Sequence, residues 1–152
     1  MKSRKEIIEI INHASGTSAY HKFSHFECYP VVTDGVIAIA EATGYYWLLD
    51  IIGSYQTDKR LDPHFQIWRL AVNNENQTAV VSGYNDTVLI IKQDIQFTDF
   101  PLDELKLYLM NGVILLLSEY RTELPVWRFC SIAKIKQGGY TWNKLLLKEL
   151  RN

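Results

Sequence analysis

Thiols are scarce in this chain: its 152 residues hold two cysteines, Cys28 and Cys130, far apart and outside any close thiol motif. Both read most simply as small, reduced, buried hydrophobes, with a disulfide or a catalytic thiol as the alternative. Glycine patterns are missing too. Gly138-Gly139 is an isolated pair without the spacing of a P-loop or a dinucleotide-binding turn. Charge of one sign is absent, because 16 basic and 17 acidic residues leave a formal charge of -1. Such a balance offers no global attraction to a phosphate backbone, which disfavours a generic nucleic-acid binder. Long apolar runs are lacking as well. Residues 113–117 are far too few to cross a bilayer, and the amino end carries neither the h-region nor the cleavage site of a signal peptide. No membrane association and a cytoplasmic location are therefore expected. Finally, no histidine follows His64. The Ser–Asp–His order of an α/β hydrolase is thus closed to Ser118, which also lacks the glycine-flanked elbow.

What remains is ample for folding. A hydrophobic fraction of 47% supplies a sizeable core, and the length fits one domain over residues 1–152. Residues 4–14 predict an opening helix, with Ile7, Ile8 and Ile11 on one face and Lys5, Glu6 and Glu9 on the wet side. Ser15-Gly16-Thr17-Ser18 breaks it. Residues 20–32 carry no clear period, and Phe26, Cys28 and Tyr29 suggest partly buried extended chain. Thr33 is placed to cap a second helix starting at Asp34, with Gly44 as its C′ residue. In a third helix Tyr45, Leu48, Leu49 and Ile52 share the buried face, and Asp50 lies off that stripe.

The period changes after Pro63. Residues 65–72, 77–82, 88–91 and 94–97 read as short strands, with turns at 73–76 and 83–86 and a weaker break, or a bulge, at Lys92-Gln93. Connections this short imply antiparallel order. Asp103-Glu104 is expected in a short helical turn after Pro101. Asn111-Gly112 favours a type I′ hairpin turn between residues 105–110 and 113–117. The second of these runs does not alternate, so it predicts a strand covered on both faces, with the three helices supplying cover. A strand near 132–135 and a helix near 141–150 close the chain. The fold class is α+β: an antiparallel sheet packed against N-terminal helices, with a C-terminal helix.

Candidates for chemistry are few. His21 and His25 would share a helix face, whereas in a strand they stand about 13 Å apart, too far for one metal. No glutamate gives them the HExxH arrangement, so a His21/His25 metal pair is only the alternative to ordinary hydrogen-bonding histidines. Asp34, Asp50, Asp99 and Glu119 are the acids of interest. Asp34 and Asp99 each follow a threonine at an element boundary, where either side chain can collect free backbone N–H groups. An enzyme reading needs Asp34 and Asp50 to share a cleft with His21 or His25. No cofactor is implied. Trp47 and Trp68 belong to the core, while Trp127, beside Pro125, and Trp142 are the candidates for contact with a partner. Lys134, Lys136 and Lys144 near those aromatics form the patch that single-stranded nucleic acid would require.

Thr33-Asp34-Gly35-Val36, Tyr46-Trp47-Leu48-Leu49-Asp50, Phe65-Gln66-Ile67-Trp68, Thr98-Asp99-Phe100-Pro101 and Ser118-Glu119-Tyr120 together resemble the DUF6876 family of uncharacterised bacterial and phage-associated proteins. Tyr45 stands where that family usually has alanine, and Leu117 where it has proline. The resemblance supplies no catalytic residues; it permits a mobile-element setting and fits a protein that works by binding alone. The favoured expectation is a non-enzymatic, cytoplasmic protein-interaction module with a protein partner or self-association. A hydrolase or nuclease built on His21, His25, Asp34 and Asp50 is the alternative, and a nucleic-acid module the third.

Overall fold

Ser3 starts the first helix by a reciprocal exchange with Glu6: the Glu6 N–H donates to Ser3 Oγ, and the Ser3 N–H donates to Glu6 Oε2 at 2.7 Å. This capping box satisfies two N–H groups that would otherwise lack partners. The computed structural model describes residues 2–26 and 29–121 of the chain. Its elements in order are α1 (Arg4–His13), β1 (Val31–Val32), α2 (Asp34–Thr43), α3 (Tyr46–Ser54) with a short 3-10 turn (Tyr55–Thr57), β2 (Phe65–Asn73), β3 (Thr78–Asn85), β4 (Val88–Ile95), β5 (Glu104–Met110), β6 (Val113–Leu115) and α4 (Leu117–Arg121). The fold is α+β, as expected. The helix expected near 141–150 and the strand near 132–135 lie outside the described residues.

The six strands run β1-β6-β5-β2-β3-β4 across one sheet. Every neighbouring pair is antiparallel except β1 and β6, which are parallel. Asn111 and Gly112 turn the β5–β6 hairpin with φ of 53° and 81°, the two positive values a type I′ turn demands. Gly44 ends α2 in the left-handed region at φ 74°.

Helices α2 and α3 pack on one sheet face. Val36, Ile39, Ala40, Leu48, Leu49 and Ile52 meet Trp68, Leu70, Val81, Leu105, Leu107 and Leu109 in a single buried cluster. Tyr45 closes its rim. Its ring packs edge-on against Phe100 with centroids 4.7 Å apart, and its hydroxyl donates to Asp99 Oδ1 at 2.5 Å. Burial first, and then the bond to Asp99, push the Tyr45 pKa up to about 12. β6 stops at Leu115, short of the expected 113–117, because Leu117 opens α4; its three residues are all buried, in keeping with a strand covered on both faces.

Several local expectations change, and the turn expected at 83–86 falls largely inside β3, which runs to Asn85. In α1 the core side is Ile7, with Ile10 and Ile11 packed beside it, and Ile8 is 40% exposed. Residues 88–95 form one uninterrupted strand, because Lys92 and Asp94 project from an edge strand where charge meets water; the register shift falls opposite Gly83/Tyr84 instead. Glu104 opens β5 rather than completing a helical turn. β1 occupies the last two residues of the stretch 20–32 that suggested extended chain, and its parallel pairing with β6 has no signal in the sequence.

Candidate functional site

Three chain segments meet where α2 begins. The first-turn N–H groups of any helix need acceptors from outside it. Thr33 occupies the N-cap position in extended conformation, but its side chain makes no capping bond to the helix. Its hydroxyl donates instead to Glu119 Oε2 at 2.6 Å. The Glu119 carboxyl group then takes over the cap: Oε1 accepts the Gly35 N–H at 3.0 Å, and Oε2 accepts the Leu116 N–H at 2.9 Å. An acidic side chain is favoured at the positive end of a helix. Glu119 is 1% exposed and lies 86 positions along the chain from Thr33. Gly35 makes the approach possible, because a Cβ there would stand 2.7 Å from Glu119 Oε1 and 2.9 Å from Leu116 Cδ1.

The neighbouring residue ties down a loop. Asp34 accepts the Ser18 N–H at 2.6 Å and the Ser18 hydroxyl at 2.8 Å, and it pairs with His21 Nε2 at 2.6 Å. Its own N–H donates to Thr17 Oγ1. The hydrogen bond from His21, and next the Ser18 N–H, hold the Asp34 carboxyl below the usual carboxylate range against an opposing effect of burial. An ionised carboxylate only accepts, so His21 carries the shared proton on Nε2. The backbone repeats the attachment: His21 and Val32 exchange N–H···O bonds of 2.8 and 2.9 Å.

A pH dependence follows from this pair. A carboxyl whose pKa is depressed by folding contributes stability above its ordinary value, here 3.8, and loses it as pH falls toward the folded-state value. Asp34→Asn is therefore expected to cost less than about 1 kcal/mol near neutral pH, since both side chains are about a third exposed. Urea unfolding at about pH 2 should show a smaller penalty; an equal penalty at both pH values would contradict the assignment.

His21 and Asp34 are thus brought together. His25 is exposed in the loop and Asp50 is exposed on α3, and neither bonds to the cluster. The interface candidates Trp127 and Trp142, and both cysteines, lie outside the described residues. Among the described residues no three or more His, Cys, Asp and Glu side chains gather in a metal-holding arrangement, and no helix is long and apolar enough to cross a membrane.

The order of the bonds decides what this cluster can do. In a nucleophile relay the imidazole stands between hydroxyl and carboxylate. Here the carboxylate stands in the middle, and Ser18 spends its hydroxyl on Asp34. Such an arrangement anchors the 17–21 loop to the start of α2. Ser118 is similarly occupied, donating to the Ile11 carbonyl beside a cleft of about 380 Å³ that Ile11, Leu105, Leu116 and Leu117 line. At the cleft rim Glu104 is paired with Arg69 at 2.8 Å.

A family model describing a family of unknown function, DUF6876, matches residues 5–120. The chain belongs to that family. The matched DUF6876 region runs from the first turn of α1 through Tyr120, so it contains both halves of the Thr33–Glu119 contact. None of the curated proteins and none of the solved structures matches the chain. Within the DUF6876 region, sequence patterns single out Thr33, Asp34 and Glu119 without joining them. Thr17 and Ser18 read only as a helix break, and nothing local marks them as partners of Asp34.

Proposed function

We propose that this DUF6876 protein is a protein-interaction module that acts in the cytoplasm by binding, in a phage or mobile-element setting. The observation that carries the reading is the apolar surface flanking β4. Val88 is 60%, Leu89 49% and Phe97 67% exposed, at the two ends of a strand with one sheet neighbour among the described residues. Single exposed apolar residues are ordinary. Placed at both ends of a strand whose second edge has no neighbour among the described residues, they frame the kind of surface to which another chain adds by backbone pairing. The bonds of His21, Asp34 and Glu119 support the same reading, because those groups hold the helix start together. Trp127 and Trp142 are proposed as further contacts.

Leu89→Ser and Phe97→Ser are expected to weaken association about tenfold while leaving thermal unfolding nearly unchanged. Sedimentation velocity of the full chain reads self-association, and capture on the tagged full chain reads other partners. Unchanged association in both variants would sink this assignment.

A further inference from the structure

Natural sheets protect an open edge with charge and with bulges, and β4 has both, in Lys92 and in the shift opposite Gly83/Tyr84. These leave a regular stretch, Ile91-Lys92-Gln93-Asp94-Ile95, that pairs residue for residue with β3. Its chemistry is symmetric about Gln93: apolar, cation, amide, anion, apolar. Lys92 and Asp94 are exposed on the same sheet face, opposite Ser82 and Val80. Neither makes an ion pair among the described residues.

We propose that β4 is a homodimer interface, in which two copies join edges antiparallel about Gln93 and double the sheet. This rests on the interaction-module reading and names its partner as a second copy. A two-fold axis at Gln93 sets Lys92 opposite Asp94 of the second copy, twice over, and Ile91 opposite its Ile95. Opposite charges directly across an antiparallel pair attract, and like charges repel. A parallel partner in register would set Lys92 level with Lys92. Leu89 lies beyond the register shift and Phe97 beyond the last residue of β4, so the two flank the ends of the paired stretch. A self-complementary patch of this kind is what a two-fold dimer requires.

Charge reversal tests the register in the full chain. Lys92→Asp alone, or Asp94→Lys alone, creates two like-charge pairs and should raise the dimer dissociation constant about tenfold or more. The double variant restores opposite pairs and should return the constant to the wild-type value. Sedimentation equilibrium reads all four proteins, with circular dichroism checking their fold. Hydrogen exchange on the wild type needs no variant: protection of residues 91–95 should rise with protein concentration. A monomeric wild type, a dimer indifferent to the single reversals, a double variant without rescue, or protection independent of concentration would each overturn the dimer. If the wild type is monomeric but captures another protein in a Leu89-dependent way, the dimer falls and the interaction module stands. If neither association occurs, both fall.

Discussion

Glu119→Ala is expected to lower the unfolding free energy by about 3–5 kcal/mol, the largest single-residue effect at the helix junction. The reason is the number of donors left behind. The Thr33 hydroxyl and the Gly35 and Leu116 N–H groups all donate to this one buried carboxyl group. Removing it strands them where water cannot reach, and each stranded donor costs about 1–3 kcal/mol before relaxation. The alanine also removes the acidic group from the positive end of α2. Glu119→Gln should fall between wild type and alanine, because its amide oxygen replaces one acceptor while its NH₂ faces a donor. Urea unfolding checks both variants. A loss below about 1 kcal/mol for alanine would show that the contact does not hold the helix start.

Trp68→Ala is expected to cost a similar amount, about 3–5 kcal/mol, by a different route. Trp68 is 2% exposed and lies over Gly83 on the neighbouring strand, and Tyr55 stacks on it at 6.0 Å. Its indole N–H donates to Gln66 Oε1 at 2.9 Å, inside a side-chain network that Gln56 completes. Alanine leaves a large void and loses that donor. Gly83→Ala probes the same packing from below, since its Cβ would stand 2.9–3.1 Å from the indole ring. Alone it should cost about 1–3 kcal/mol as overpacking. In the Trp68→Ala background the clash is gone, so its penalty should vanish. Additive penalties would contradict the contact.

The elements that could be read from the sequence are those whose pattern is local. The stripe of Tyr45, Leu48, Leu49 and Ile52 repeats at helical spacing, and all four are buried. Asn111-Gly112 and Gly44 declare their turns because so few residues accept a positive φ. The rest depends on contacts between distant segments. β1 is two residues long and exists through its pairing with β6. Lys92-Gln93 reads as a weak break or a bulge, although charged and polar residues are ordinary on an edge strand. Glu119 was notable only as an acid after an apolar run, and its partners Thr33 and Gly35 sit in the first third of the chain. The meeting of His21 with Asp34 likewise needs the 17–21 loop to fold back, which spacing alone does not determine. The candidate site was therefore visible as residues and hidden as an arrangement.

The central claim is that this DUF6876 chain works through the β4 edge and that its polar cluster serves the fold. Measuring association of wild type, Leu89→Ser and His21→Ala side by side, by sedimentation and by capture on the full chain, tests it most directly. The account predicts that Leu89→Ser loses association and His21→Ala keeps it. Association lost with His21→Ala in a folded protein, and retained with Leu89→Ser, would contradict it.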